Sequence, residues 1–500
     1  MRRQPILLDL SAWVVTLAVG LGLFAGSVAA QDGPDTSPLV RQIYDGGWPD
    51  AAEAEKLHQQ FLLQRAVQSY MMTLPALNVI GMRDGSEAQF GAGYNVLPIW
   101  KDRMDSRTLV PTPNADVIYS MSYFDLKETG PLVVYAPPQV IGMFTDFYQR
   151  TLTDVGAAGP DGARGGLYLL LPPDYDGPVP GGYFAFRSST YNVFLFFRTV
   201  LAEGEDGPDT SVPVAIAEQT RIYPLGSNEG RRPKMEFPNG SGVRVNMMYP
   251  TDFGYWEKLK EFIDYEPIGA FPMEVRGMLA SLGIVKGEPF EPSSVARKAM
   301  EEAVTLAPRM IYANRITPGF FSRVDYYDDR QYGNAWSGAD ANYNMPTFTD
   351  IDVRTSYFQF AYSSAPAMVV DMIGQGSKYP FTVRDADGEL LDGANTYRLR
   401  LPPDIPALLY WAVTLYNAID GTMPETPQLL PSRNQFDNVV TGDDGSVELW
   451  FAPVKPDGVD ERNWIQSIPG RAELVAVRLY GTGPEFYDQT WKPDDVVRVR

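Results

Sequence analysis

Two residue types that often carry catalysis are scarce in this chain, because the sequence contains no cysteine and a single histidine, His58. Thiolate nucleophiles, disulfides and metal sites built from several histidines are therefore excluded. Carboxylates, arginines, tyrosines, hydroxyls and backbone groups remain. We expect any catalysis to use these groups, with His58 as the one imidazole available as a base.

His58 lies four residues after Ala54 and four before Leu62, which places it on the apolar row of a predicted helix. One interpretation is a half-buried histidine that hydrogen-bonds a carboxylate or the backbone. The alternative is a general base at a place where this helix meets a β domain. The sequence assigns His58 no serine or aspartate partner, so no catalytic triad is predicted.

Asp146, Tyr148 and Arg150 alternate along residues 144–150. If this segment is a strand, the three side chains share one face, opposite Phe147. A carboxylate, a phenol and a guanidinium that converge on a pocket could bind a polar ligand or perform acid–base catalysis. Asp146 and Arg150 therefore join His58 as catalytic candidates. A structural ion-pair network is the alternative for the same residues.

A turn-forming segment, residues 111–120, precedes the first apolar run of the β region. Its Asn114 and Asp116 either hydrogen-bond the local backbone and rigidify the turn, or contact a ligand. Trp336 lies in an aromatic stretch, residues 326–348, that forms a platform for a sugar or an elongated apolar ligand, or else fills a domain junction. The ligand-binding candidates are Asn114, Asp116, Tyr119, Tyr148 and Trp336.

Asp385, Asp387 and Asp392 are weak metal candidates, because calcium prefers oxygen ligands. Their spacing lacks the third acid and the distal glutamate of an EF-hand loop. Asp-Gly turns between strands account for the same residues. We therefore predict no cofactor and no metal, with calcium as the weaker alternative.

Residues 1–30 have the features of a signal peptide. Arg2 and Arg3 precede an apolar stretch from 11 to 28, and Ala29 and Ala30 offer small residues for cleavage. We expect export to the periplasm or beyond after cleavage near Ala30, with an uncleaved membrane anchor as the rival. No later stretch predicts a membrane span. The net charge of −20 argues against nucleic-acid binding.

The rest of the chain is too long for one ordinary domain and alternates between helical and strand patterns. We predict an α+β multidomain fold, mainly β with helical segments, in which a helix from about Asp50 to Ile80 precedes a β-sandwich or barrel-like domain. In the linker, Ser294 is a candidate cap for a helix that ends or kinks at Pro308. The predicted segments are 31–85 (helical), 86–230 (N-terminal β domain), 231–330 (helical linker) and 331–500 (C-terminal β domain).

Several motifs resemble a bacterial family with paired domains of unknown function, 1254 and 1214. The first domain is matched by Asn114–Ser120, Tyr123–Leu126, Gly130-Pro131, Gly166–Leu169, Pro172-Pro173 and Arg221–Leu225. The second is matched by Asp387-Gly388, Leu391–Gly393, Tyr397–Leu399, Trp411–Asn417, Asn463–Ile465 and Arg478–Tyr480. This resemblance implies an exported, β-rich protein with a jelly-roll-like C-terminal domain. It brings no established reaction and no catalytic set.

The predicted function is therefore the binding of a small or elongated organic ligand, including glycan-like or lipid-like molecules, at an aromatic-lined site. One alternative is a carboxylate-dependent hydrolase that uses His58, Asp146 or Arg150. Another is a structural envelope protein that forms homo-oligomers.

Overall fold

Helices and strands occur in similar amounts in the computed structural model, which describes residues 48–205, 207–228, 230, 232–317 and 324–499. The strands form several sheets, and none of them closes into a barrel within these residues. The mixed α+β class is confirmed. The expectation of a mainly β protein is wrong, because long helices account for much of the chain. The predicted signal peptide lies outside the described residues.

Helix α1 runs from Ala51 to Phe90 and is 40 residues long. It continues past the predicted end near Ile80, because Gly81 and Gly85 do not interrupt it. A Cβ atom at Gly85 would lie 1.9 Å from the carbonyl oxygen of Asn246, so glycine allows this segment to approach the helix. Further helices are α2 (Leu126–Thr129), α3 (Ser211–Ala217), α4 (Gly254–Tyr265), α5 (Met273–Ala280), α6 (Ser294–Arg315), α7 (Ile351–Phe360), α8 (Pro366–Val369) and α9 (Pro484–Tyr487).

Strands of the first half form two four-stranded sheets, in the orders β2-β8-β4-β5 and β11-β3-β6-β7. Their apolar side chains share one core, in which the rings of Phe144 and Tyr168 lie 5.4 Å apart. The N-terminal β domain over residues 86–230 stays a prediction. The strands are β1 (Thr108–Leu109), β2 (Val117–Asp125), β3 (Leu132–Ala136), β4 (Ile141–Asp146), β5 (Thr151–Val155), β6 (Gly166–Leu171), β7 (Phe184–Arg187), β8 (Asn192–Val200), β9 (Ala202–Gly204), β10 (Gly207–Asp209), β11 (Arg221–Pro224) and β12 (Val245–Asn246).

Strands of the second half form a sheet in the order β13-β20-β16-β17, with β14 also paired to β20, and a second sheet in the order β19-β18-β15-β21. Leu399 and Leu449 of the second sheet share a core with Val413 and Val477 of the first. A jelly-roll topology stays a prediction. The strands are β13 (Ser377–Lys378), β14 (Phe381–Thr382), β15 (Thr396–Leu401), β16 (Ala407–Asn417), β17 (Ser432–Asn434), β18 (Val447–Ala452), β19 (Trp464–Gln466), β20 (Glu473–Thr482) and β21 (Val497–Val499).

The predicted linker contains α4, α5 and α6, and the apolar rows predicted in α4 and α6 are buried. Ser293, rather than Ser294, caps α6, because its Oγ accepts a hydrogen bond from the Ala296 amide at 3.2 Å. Pro308 lies inside α6 and does not end it. No helix in the described part of the chain is both long and apolar enough to cross a membrane.

One extensive core joins these layers within the compact unit formed by residues 58–500. It includes one face of the β2-β8-β4-β5 sheet, one face of the β20-β16 pair, and the buried sides of α1, α4 and α6. The two sheets therefore contribute side chains to the same interior.

Candidate ligand-binding cavity

Strand β8 carries a charged side chain on a face that is otherwise apolar. Alternate residues of a strand point to the same side of a sheet, so Phe194, Phe196 and Arg198 share one face. The register places Tyr119 of β2 opposite Arg198, and Met121 opposite Phe196. These side chains belong to the joint core, whereas the other face of the sheet packs within the N-terminal domain.

Strand β20 repeats this arrangement in the C-terminal region. Its alternate residues Leu474, Ala476, Arg478 and Tyr480 share a face, and Tyr410 of β16 lies directly opposite Tyr480. Intervening residues such as Val477 pack on the other side, between the two C-terminal sheets. The sequence thus places a second buried arginine on the sheet face that lines the joint core.

A cavity of about 80 Å³ lies between these two faces. The N-terminal sheet contributes Tyr119, Phe196 and Arg198, and the C-terminal sheet contributes Arg478 and Tyr480. This volume is several times the roughly 10–15 Å³ that a single water needs. The cavity can therefore hold a small organic molecule or several waters.

Neither cavity arginine forms an ion pair with any residue that the structure describes. Arg198 Nη1 donates to the hydroxyls of Tyr379 at 3.3 Å and Tyr480 at 3.2 Å, and its Nε has no hydrogen-bond partner among these residues. Arg478 Nη1 donates to Thr414 Oγ1 at 2.8 Å. Both residues are buried, so two cations face the cavity without a bonded carboxylate.

The carboxylate of Asp154 interacts electrostatically with Arg198 without forming an ion pair. Asp154 of β5 is buried, and its Oδ2 accepts a hydrogen bond from the Ala367 amide at 3.0 Å. Burial raises the pKa of Asp154 to about 6, and this hydrogen bond and the charge of Arg198 partly oppose the rise. Asp154 does not line the cavity.

Hydroxyl and amide groups surround the two guanidinium groups. Asn114 Nδ2 donates to the hydroxyls of Tyr410 and Tyr480, each at 2.9 Å, and the Asn114 amide donates to the Tyr119 hydroxyl at 3.1 Å. Burial raises the pKa of Tyr119 to about 12, although Arg198 and Arg478 oppose the rise. Tyr119 is therefore a neutral phenol at physiological pH.

Aromatic rings form the rest of the wall. Trp336 Nε1 donates to Ser364 Oγ at 2.9 Å, which fixes the indole, and its ring centre lies 5.2 Å from that of Tyr357. Phe360 and Phe381 also line the cavity, with their ring centres 5.5 Å apart. The arginines thus lie in a cavity whose remaining surface is mainly apolar and aromatic.

Three predicted ligand-binding residues, Asn114, Tyr119 and Trp336, line this cavity. Asp116 does not line it, because it is occupied by structural contacts. Its Oδ1 accepts from Arg103 Nη2 at 2.9 Å and from Asn434 Nδ2 at 2.6 Å, and its Oδ2 accepts from Ser432 Oγ at 2.7 Å.

Tyr148 also lies outside the cavity, with its hydroxyl donating to the Met72 carbonyl at 2.8 Å. Around Trp336, the predicted aromatic platform is mostly packed: Tyr327, Tyr332 and Tyr343 are buried in cores, and Phe348 is exposed.

The predicted strand through Asp146 and Arg150 is wrong, because β4 ends at Asp146 and a turn follows, with Gln149 in the left-handed region at φ 57°. Asp146 is buried and closes this turn. Its Oδ1 accepts the amides of Tyr148 and Arg150, each at 2.8 Å, and its Oδ2 accepts Arg150 Nε at 2.6 Å. These contacts favour the structural ion-pair interpretation.

His58 is exposed on α1, so the expectation of a half-buried packing position is wrong. The apolar row is interrupted there, since Phe61 is also exposed and burial starts at Leu62. His58 does not line the cavity that holds Arg198 and Arg478. The three catalytic candidates His58, Asp146 and Arg150 are therefore not brought together at this cavity.

The predicted calcium candidates form turns. Asp385 Oδ1 accepts the amides of Asp387 and Glu389, each at 3.0 Å, and Asp392 Oδ1 accepts the Ala394 amide at 2.8 Å. Within the described residues, no group of three or more acidic or histidine side chains is arranged to hold a metal ion.

Sequence reasoning missed Arg198 and Arg478. Each interrupts a strand of apolar residues, Asn192–Val200 and Glu473–Thr482, and each is on the same face as aromatic side chains. A charged residue at the centre of an apolar strand was the available signal, because long charged side chains are rarely fully buried.

Comparisons with known proteins agree with the resemblance found in the sequence. Residues 94–224 match the family described as a protein of unknown function, DUF1254, and residues 376–484 match that described as DUF1214. No curated protein matches the chain. Both domains are therefore present, the first in the N-terminal region and the second in the C-terminal region.

Two solved structures resemble this chain over most of its length. The crystal structure of the VPA0106 protein from Vibrio parahaemolyticus has a TM-score of 0.53 and 16% identity, and the match covers 88% of this chain and 100% of that one. An uncharacterized Burkholderia cenocepacia protein has a TM-score of 0.41 and 12% identity, over 90% and 97% of the two chains. The first likeness supports the fold alone.

Proposed function

We propose that this chain, which carries a DUF1254 and a DUF1214 domain, binds a small organic anion in the cavity between its two sheets. The observation that carries the proposal is the pair of buried guanidinium groups, Arg198 and Arg478, without ion-pair partners in the described residues. Removing a charge from water is costly unless an opposite charge compensates it. An anionic ligand supplies that charge.

The chemistry of the wall narrows the ligand class. Arginine presents paired N–H donors that match the oxygens of a carboxylate or a phosphate. Tyr119 adds a neutral hydroxyl, and the rings of Trp336 and Phe360 favour an apolar body. A compact aromatic or aliphatic carboxylate satisfies both requirements. In an exported protein, as residues 1–30 predict, this cavity would meet ligands outside the cytoplasm.

The hydrolase alternative lacks a comparable arrangement. His58 is exposed, and Asp146 and Arg150 bond to each other and to the backbone of their turn. No observation at the cavity supplies an activated nucleophile or a base beside a reacting atom. We therefore propose binding as the function that the geometry supports best.

Calorimetric titration of the full chain with sodium benzoate tests the proposal. We expect saturable binding of benzoate and little binding of benzyl alcohol, which has the same ring without the charge. Replacing Arg478 or Arg198 with methionine should weaken benzoate binding by about 30-fold or more, which corresponds to about 2 kcal/mol for loss of a buried charge contact.

Arg398→Met is the matched control, because Arg398 lies on β15 and its side chain is 45% exposed beside Glu448. It should leave the benzoate affinity unchanged. Equal affinity in wild type and in Arg478→Met would refute the assignment of the site. Absence of binding by benzoate, hexanoate and benzenesulfonate alike would refute the proposed ligand class.

A further inference from the structure

A second pocket, of about 300 Å³, lies at the end of the β16-β20 pair and shares no lining residue with the anion cavity. Glu473, the first residue of β20, lines it opposite Asn417 of β16. Because the next residue, Leu474, lines the anion cavity, the Glu473 side chain points to the other side of the sheet. The carboxyl group therefore belongs to a separate site.

Glu473 is a buried carboxyl group without a bonding partner. Its residue is 4% exposed, and its side chain forms no hydrogen bond or ion pair with the described residues. Glu266, which is also deeply buried, is accommodated differently, because it accepts the Asn192 amide at 3.0 Å and Asn192 Nδ2 at 2.6 Å. Glu473 thus lacks the hydrogen bonds that compensate the burial of Glu266.

The surroundings of Glu473 favour a positive ligand. Burial raises the pKa of Glu473 to about 8, and the Asp392 carboxylate adds to the rise. Asp420 and Glu425 also line the pocket, and Glu425 is paired with Arg244. Arg471, the arginine among the lining residues, is exposed and forms no ion pair with Glu473. A cation placed here would offset both the burial and the repulsion.

Glycine at position 393 holds the carboxyl group in a tight place. A Cβ atom there would lie 2.7 Å from Glu473 Oε1 and 2.2 Å from the carbonyl oxygen of Ile468. The lack of a Cβ atom at this position therefore leaves room for the Glu473 carboxyl group beside the backbone.

We propose that this pocket is a second binding site, which takes a small organic ammonium ion at Glu473. On binding, the carboxyl group gives its proton to the solvent, and the ammonium donates a hydrogen bond to the resulting carboxylate. Leu415 and Met423, which line the same pocket, would contact the alkyl part of the ligand. A metal ion is disfavoured, because no group of three or more acidic side chains in the described residues is arranged for one.

Titration of the full chain with butylammonium chloride tests this site. At neutral pH we expect saturable binding with release of nearly one proton, measured by pH-stat titration in unbuffered sodium chloride. Butanol and sodium butyrate should not compete at this site. Glu473→Gln, which has the shape of the neutral acid, should weaken binding at least about tenfold and abolish the proton release.

Glu448→Gln is the matched control, since Glu448 is a partly exposed acid of β18. A thermal melt of Glu473→Gln establishes that the variant is folded. The proposal is overturned if wild type does not bind butylammonium, or if folded Glu473→Gln binds it with unchanged affinity and proton release. Arg478→Met should bind butylammonium like wild type, so failure of the anion proposal and failure of this one are distinguishable.

Discussion

Arg103, Arg198 and Arg478 show two ways in which this protein accommodates a buried cation. Their exposed fractions are nearly equal, at 6%, 5% and 6%. Arg103 lies 2.9 Å from the carboxylate of Asp116 and 2.9 Å from that of Asp437, whereas hydroxyl groups are the partners of the two cavity arginines. Burial is therefore common to a structural and a candidate functional arginine. Arg198 and Arg478 differ from Arg103 in that they lack an ion pair and also line the cavity.

The paired arginine belongs to a junction that connects distant parts of the chain. Asp116 lies next to β2, and its partners Ser432 and Asn434 belong to β17 of the C-terminal sheet. Each acceptor of Asp116 is thus committed to holding the two regions together. The cavity arginines leave donor capacity unused, which is costly for stability but useful for recognition.

Methionine substitution should separate the two kinds of arginine by its effect on stability, the largest effect that we expect. Arg103→Met leaves the buried carboxylate of Asp116 and the half-buried one of Asp437 without their cation, and it should lower the free energy of unfolding by about 3–5 kcal/mol. Arg478→Met removes a charge that has no ion pair in the described residues and one hydrogen bond, so it should stay within about 1 kcal/mol of wild type. Urea unfolding followed by circular dichroism measures both. Similar losses of unfolding free energy in the two variants would contradict the distinction between a paired and an unpaired buried arginine.

Asp154 tests whether Arg198 is an unpaired cation, because its carboxylate interacts electrostatically with Arg198 without forming an ion pair. Its ordinary pKa is about 3.9, and its pKa in the folded protein is about 6. The folded state therefore holds this proton more tightly, so the contribution to stability is complete below about pH 4 and is lost as the pH rises through about 6.

The Asp154→Asn variant does not lose this stability as the pH rises, because asparagine has no proton to release in this range. Relative to wild type, the variant should gain up to about 2–3 kcal/mol of unfolding free energy between pH 4 and pH 7. Unfolding measured across that range checks the slope, and Asp457→Asn, at an exposed position, serves as the control. Parallel curves for wild type and Asp154→Asn would show that Arg198 already neutralises the carboxylate, which would make Arg198 a paired residue like Arg103.

Part of the candidate site could be predicted from the sequence, but Arg198 and Arg478 could not, for a physical reason. Asn114, Tyr119 and Trp336, which line the cavity, could be proposed from the sequence, because turn formers and aromatic residues are recognisable from the local sequence. Arg198 and Tyr480 are hydrogen-bonded although they are 282 residues apart, and no local pattern specifies that contact. The absence of a counter-ion is a property of the assembled interior, so it has no signature in the sequence.

Element types were predictable where one periodicity continued over many residues, as in α4, α6 and β15. Boundaries were less predictable, because tertiary contacts set them. Helix α1 passes through Gly81 and Gly85 where another segment packs closely against it. Strand β4 stops at Asp146 because that carboxylate binds the amides of the following turn, which alternation of side chains does not reveal.

His58 should give the smallest effect, although its rarity makes it the most conspicuous residue of the sequence. It lies exposed on α1, outside both the Arg103 junction and the anion cavity. His58→Ala should therefore change the unfolding free energy by less than about 0.5 kcal/mol and leave the benzoate affinity unchanged. Urea unfolding and benzoate titration measure the two quantities. A weaker benzoate affinity would contradict the position of the site, whereas a stability loss that depends on protein concentration would instead favour the alternative of a homo-oligomer.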